Sequence, residues 1–186
     1  MNKSNVELHV FGYFLVKLIR LYQEKFGNVS ADEIIGNLKK SQLMTFLYCT
    51  CLSSIKMSDG NVSDIGLFKL FDHFSACPFG PCYSPIWYAF DIIPGFYYNK
   101  NKDKLVYRNE DEINKYECIP YIDMIDEAIK KLEILPDELL NNNNKLRLFS
   151  MRFINWYNAF LYTTDSMMSI NPIYLKTDYN LLHKTI

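Results

Sequence analysis

Cys49, Cys51, His73, Cys77 and Cys82 are the side chains of this chain best suited to metal or thiol chemistry. A structural zinc site takes four such ligands in tetrahedral array, usually in pairs at two- to four-residue spacing. Cys49 and Cys51 stand two apart, so on a helix they face different directions. Cys77 and Cys82 straddle Pro78 and Pro81, which either draw the thiols together or hold them apart. Neither pair has C-x-x-C spacing. The expectation is therefore buried free cysteines acting as small hydrophobes, with no metal and no cofactor. A redox pair would need a cationic neighbour or a helix N-terminus to lower a thiol pKa. Cys82, just before Ser84, has only the second argument, and Cys118 lies beside Glu117, which opposes ionisation.

Three histidines leave little material for acid–base catalysis. His9 falls among apolar residues of a first helix and reads as a satisfied, partly buried imidazole. His183 lies in the terminal segment. His73, next to Asp72, is the best placed, and it defines one alternative reading: a small enzyme with an aromatic pocket near His73. No G-x-S-x-G, G-x-G-x-x-G, G-x-x-x-x-G-K-[ST] or H-E-x-x-H pattern accompanies it. Asp123, Asp126 and Glu127 read as the solvent face of a helix. No catalytic residue is expected, and the chain does not read as an enzyme.

The aromatics say more. Tyr48, Phe79, Tyr83, Trp87, Tyr88, Phe90, Trp156 and Tyr157 exceed what one small core needs. They fit either core packing or a partner surface, where Trp and Tyr are typical anchors. They concentrate around Phe79-Gly80-Pro81, a stretch between His73 and Phe90 dense in proline, glycine and aromatic residues. Proline fixes its own φ and restrains the residue before it, while glycine admits left-handed backbone. That stretch reads as a rigid, partly buried elbow leading into a helix.

The elements that must hold this elbow are mostly helical. Leu8, Phe11, Leu15, Leu18 and Tyr22 recur at three- and four-residue steps over residues 5–26, with Gly27-Asn28 as a stop. Ser30 to Glu33 has the form of a capping box, opening a helix that runs, with a break near Gly36, through Leu43 to Cys51. Asp59-Gly60-Asn61 is a turn signal. Phe96-Tyr97-Tyr98 and Leu105-Val106-Tyr107 predict one small hairpin. A further helix is divided by Pro120 and buries Ile122, Ile125, Ile129 and Leu132. Asn141 to Asn144 reads as a loop. Leu146, Phe149, Phe153, Trp156 and Phe160 form the cleanest apolar stripe, and Asn171-Pro172 caps a last helix through Leu182.

At 186 residues the chain is long enough for one domain with a real core. A net charge of −1 supplies no field to gather nucleic acid or anionic membrane. Lys39-Lys40, Lys130-Lys131 and the Lys100, Lys102, Lys104 group read as solvated faces and a polar turn. The apolar run near the N-terminus is broken by Glu7, His9 and Lys17, so neither a signal peptide nor a membrane span is expected. With an odd count of five cysteines, a cytoplasmic location is expected.

Three segments carry a family resemblance. Lys40-Ser41-Gln42-Leu43-Met44-Thr45-Phe46-Leu47-Tyr48 is similar to an early helix of the form K-L-x-K-L-L-Y. Ala76-Cys77-Pro78-Phe79-Gly80-Pro81, followed by Ile86-Trp87, is similar to an A-W-x-[YF]-G-P elbow. Leu148-Phe149-Ser150-Met151, followed by Trp156, is similar to a late helix bearing L-x-S-H and a Trp. In this order they resemble the Panacea domain, the SocA-like antitoxin domain of bacterial and phage toxin–antitoxin loci. Cys77 stands where the family has Trp and Met151 where it has His. The resemblance implies a helical fold and a protein-binding role, and it carries over no catalytic residue.

The resulting expectation is a mainly α protein, a single helical domain over residues 1–186 with one small β-hairpin. Residues 1–29 form an extra helix, 30–170 the Panacea-like core and 171–186 a terminal helix. Its role is that of an antitoxin-like domain that binds and neutralises a partner protein through Phe79, Gly80, Pro81, Tyr83, Trp87 and Trp156. A nucleic-acid-associated or phage-related regulatory protein is the other alternative. The oligomeric state stays open, since Phe11, Leu15 and Leu18 could pack on the domain or pair two copies.

Overall fold

A computed structural model describes residues 3–27, 29–163 and 165–184; the Asn28 half of the expected first-helix stop lies outside them. Two helices form the centre. Helix α1 (Lys3–Phe26) buries Phe11, Leu15 and Leu18 completely, so these residues are core and face no second copy. It is no appendage: it packs against later helices across the domain and shares their apolar core. Helix α2 (Ala31–Asn37) starts on Ser30, whose hydroxyl accepts from the Glu33 amide at 3.2 Å, as the capping pattern predicts. The break falls at Leu38-Lys39, and α3 (Lys40–Ser53) follows. Every residue of α3 from Gln42 to Ser53 is buried, which is how a helix apolar on all sides behaves.

Three two-stranded antiparallel sheets decorate this centre, where the sequence had suggested one hairpin. Strands β1 (Lys56–Ser58) and β2 (Asn61–Asp64) join through Asp59 and Gly60 at φ 51° and 72°, the backbone of a tight primed turn. Strands β3 (Phe74–Cys77) and β4 (Gly80–Tyr83) form the second pair. The third, β5 (Phe96–Asn99) with β6 (Lys104–Tyr107), is the expected hairpin, and it lies along α2.

Helix α4 (Ser84–Tyr88) leads out of β4 with Pro85 in its first turn. Short α5 (Lys115–Cys118) passes through a tight turn at Ile119–Tyr121, containing Pro120, into α6 (Ile122–Leu132). Ile125, Ile129 and Leu132 of α6 are buried, with Ile122 at the margin. Asp126 is not a free solvent carboxylate: it takes Lys17 Nζ at 2.9 Å and the Tyr13 hydroxyl at 3.1 Å.

Then come α7 (Asp137–Asn141), α8 (Asn143–Ser150), α9 (Ile154–Tyr162) and α10 (Pro172–Lys184). The Asn run is no loop. Asn142 alone breaks the helix, and its side chain accepts from the Lys145 amide at 3.1 Å to start α8. The stripe from Leu146 to Phe160 is likewise split at Phe153, whose extended backbone reorients the chain before α9. Among the described residues no helix is long and apolar enough to cross a membrane.

Candidate functional site

The elbow is a β-hairpin. Pro78 and Phe79 make the turn, and the register pairs Cys77 with Gly80, Ala76 with Pro81 and Phe74 with Tyr83. Pro81 lacks a donor and is tolerated because a two-stranded ribbon consists only of edges. Gly80 has φ +112°, and a Cβ there would come within 2.5 Å of Ser150 Oγ and 3.1 Å of Thr45 Oγ1. The return strand is thus pressed directly onto α3 and α8. Gly80 and Pro81 are buried; Phe79 at the tip is 52% exposed.

Tyr83 points inward. Its ring packs 5.2 Å from both Phe71 and Phe74, and its hydroxyl donates to the buried Glu7 carboxylate at 2.7 Å. Burial raises the Glu7 pKa, with the Tyr83 bond and Lys3 at 3.7 Å opposing it. At the rim, Lys3 holds both oxygens of Asp72 at 2.7 Å, and Asp72 bonds His73 Nδ1. His73 itself is exposed. This seam ties α1 to β4, with His73 held at its rim by Asp72.

Trp87 belongs to a different construction. Lys40, expected on a solvated face, instead lies half-buried inside an aromatic cage. Its ammonium is 4.4 Å from the Trp87 ring centre, 4.7 Å from Phe90 and 5.8 Å from Tyr98, and it donates to the Trp87 carbonyl. Desolvation lowers its pKa, while Asp103 and Asp91 nearby support the charge. Three ring faces and a carbonyl around one ammonium make a lock between α3, α4 and the β5–β6 hairpin.

Trp156 is buried on the inner side of α9. Its indole N–H donates to the Cys77 carbonyl at 3.0 Å, and its ring stacks on Phe160 at 4.8 Å with 13° between planes. The same helix is fixed from α10 by Asp178, fully buried, which accepts from the Ile154 amide at 2.7 Å and from the Tyr48 hydroxyl at 2.8 Å. A carboxylate at the first amide of a helix is a favourable cap. Asn155 completes the centre by exchanging hydrogen bonds with the Ser169 backbone. Burial pushes the Asp178 carboxyl up to about 7, against the bonds from Tyr48, Ile154 and Asn155.

Of the six residues singled out by sequence, then, Phe79 is the exposed one and Trp87 is half-exposed, while Gly80, Pro81, Tyr83 and Trp156 are buried supports. Sequence reasoning named Tyr157 as a candidate surface residue but missed the rest of the outer face of α9. Tyr157, Phe160, Leu161 and Tyr162 are 45%, 40%, 51% and 74% exposed. Phe160 was expected at the end of a buried stripe and instead lies partly in solvent. The available signal was charge: from Phe153 to Thr163 the chain carries none. Trp156 grips Cys77 two residues before Phe79, so the hairpin tip and α9 form one end of the molecule.

The cysteines divide sharply. Cys49 and Cys51 are fully buried and their thiols are pushed far up by burial. Cys77 is half-exposed, and a hydrogen bond from Cys82 lowers its thiol to about 7 while raising that of Cys82. Among the described residues no three His, Cys, Asp or Glu side chains gather as a metal site. No family model matches the chain, and no curated protein or solved structure does either.

Proposed function

We propose that this chain is an antitoxin-like protein-interaction domain, which binds and neutralises a partner protein at the end formed by Phe79 and α9. The observation that supports it is the outer face of α9: four large, mainly apolar side chains left 40% to 74% exposed on a helix with no charge. Contiguous exposed aromatic surface on a folded domain is what a protein partner covers. The antitoxin element of the reading rests on the three segments that resemble the Panacea domain. Gly80, Pro81, Tyr83 and Trp156 act as supports that hold Phe79 and α9 in place, and Trp87 braces the adjoining hairpin through Lys40.

The surface charges favour this reading over a nucleic-acid one. Lys3, Lys17, Arg20, Lys25, Lys69 and Lys100 are each paired with a carboxylate and do not pool into a basic stripe. The test is co-expression with the product of the neighbouring gene. A stoichiometric complex that rescues growth from a toxic partner, and that is lost in Leu161→Asp/Tyr162→Asp, is the expected result. No rescue and no complex with any adjacent product would overturn it.

A further inference from the structure

Away from the α9 face, a groove of about 430 Å³ opens between α7, α8 and α10. Its floor is Leu135, Leu139, Phe149 and Leu182, and Leu148 on its lip is 61% exposed. On α8 the lining residues Lys145, Leu148 and Phe149 fall at i, i+3 and i+4, and Arg152 follows in the turn just past the helix, so this wall carries a cation at each end. The two ends are not alike. Lys145 is neutralised by Glu138, which also lines the groove. Arg152 is exposed, and among the described residues its guanidinium has no hydrogen-bond or ion-pair partner.

We infer that this groove binds an amphiphilic carboxylate, a medium-chain fatty acid, with its alkyl chain along the leucine floor and its carboxylate on Arg152. The volume is that of a small-molecule pocket, and the lining has the usual form of an apolar surface with one polar anchor. The guanidinium fork matches a carboxylate in two parallel hydrogen bonds, which an ammonium cannot offer. The asymmetry of the two cations sets the direction: the head lies at Arg152 and the tail runs toward the Lys145–Glu138 pair. The inference does not depend on the function proposed for α9.

The test titrates hexanoate, octanoate and decanoate, with octylammonium as the opposite-charge probe, by calorimetry and by methyl NMR of the full chain. Saturable binding is expected, tightening by up to roughly fifteenfold with each pair of added methylenes, since one fully buried CH₂ contributes about a fourfold gain. Octanoate should shift the methyls of Leu139, Leu148 and Leu182. Arg152→Gln should weaken it roughly tenfold, the loss expected when a charge-assisted bond is removed. Leu148→Glu, a change at an exposed position, should abolish binding with thermal stability retained. Equal affinity for octylammonium, an unchanged Kd in Arg152→Gln, or no saturable binding by any of the acids would overturn the inference.

Discussion

On its inner side α9 sets Asn155, Trp156 and Ala159 into a fully made environment: a carboxylate caps it, a backbone carbonyl receives its indole, and an amide exchanges bonds with Ser169. On its outer side Tyr157, Phe160 and Leu161 are about half exposed and Tyr162 is mostly so. The nine-residue helix is too short to be stable alone. The inner contacts, with Phe160 stacked on Trp156, therefore fix the position of a surface whose outermost residues are Leu161 and Tyr162. That separation predicts different responses to mutation on the two sides.

The largest effect belongs to the inner side. Trp156→Ala should cost about 3–5 kcal/mol, as truncation of a buried Trp does, because it also strips the Cys77 carbonyl of its donor. Urea denaturation measures this, and a cost below about 1 kcal/mol would mean the hairpin and α9 are not coupled. Asp178→Ala comes next, at about 3 kcal/mol, by leaving the Tyr48 hydroxyl and the Ile154 amide buried without an acceptor.

Asp178 also predicts a pH dependence. Its carboxyl stands at about 7 in the fold against 3.8 in an unexceptional setting, so the folded chain holds its proton more tightly than the unfolded chain. The Asp178 contribution to stability is fully present below pH 4, falls as pH rises toward 7 and is flat above it. Denaturation midpoints across pH 4–8 should show this decline, and Asp178→Asn should remove that part of it.

Smaller is the Lys40 lock. Trp87→Ala should cost about 1–2 kcal/mol, the range of a partly desolvated cation–π contact with its packing. The outer side should barely respond: Leu161→Asp/Tyr162→Asp, at the two most exposed positions of that face, should change stability by about 0.5 kcal/mol or less. A large loss there would mean that the face is core after all. Cys77 sharpens the contrast without altering stability. Iodoacetamide at pH 7.5 should modify Cys77 first and leave Cys49 and Cys51 untouched until the protein unfolds, read by peptide mass.

Much of the helical framework was legible because it follows local rules. The 3.6-residue stripe gave α1, the Ser30 cap gave α2, and Asn171-Pro172 gave α10. The β5–β6 hairpin was legible from its aromatic and β-branched runs. Two hairpins were not. Strands β1 and β2 are short and polar, with no alternation to mark them, and β4 hides behind a glycine and a proline. The stripe from Leu146 to Phe160 keeps helical spacing across a break that only the extended backbone of Phe153 reveals.

At the candidate site, residue types pointed to the right place, but burial depends on tertiary packing and cannot be read from type. Tyr83 and Trp156 look the same in sequence as a surface anchor. The uncharged run from Phe153 to Thr163 was the one local signal for the outer face, and its helical periodicity masked it as core.

The most direct test compares the wild-type chain with Leu161→Asp/Tyr162→Asp, each co-expressed with the neighbouring gene product, by affinity purification with thermal melting alongside. A variant that melts within a few degrees of wild type yet loses its stoichiometric partner is the predicted result. A variant of unchanged stability that retains the partner at full stoichiometry would contradict the assignment of α9 as the docking face.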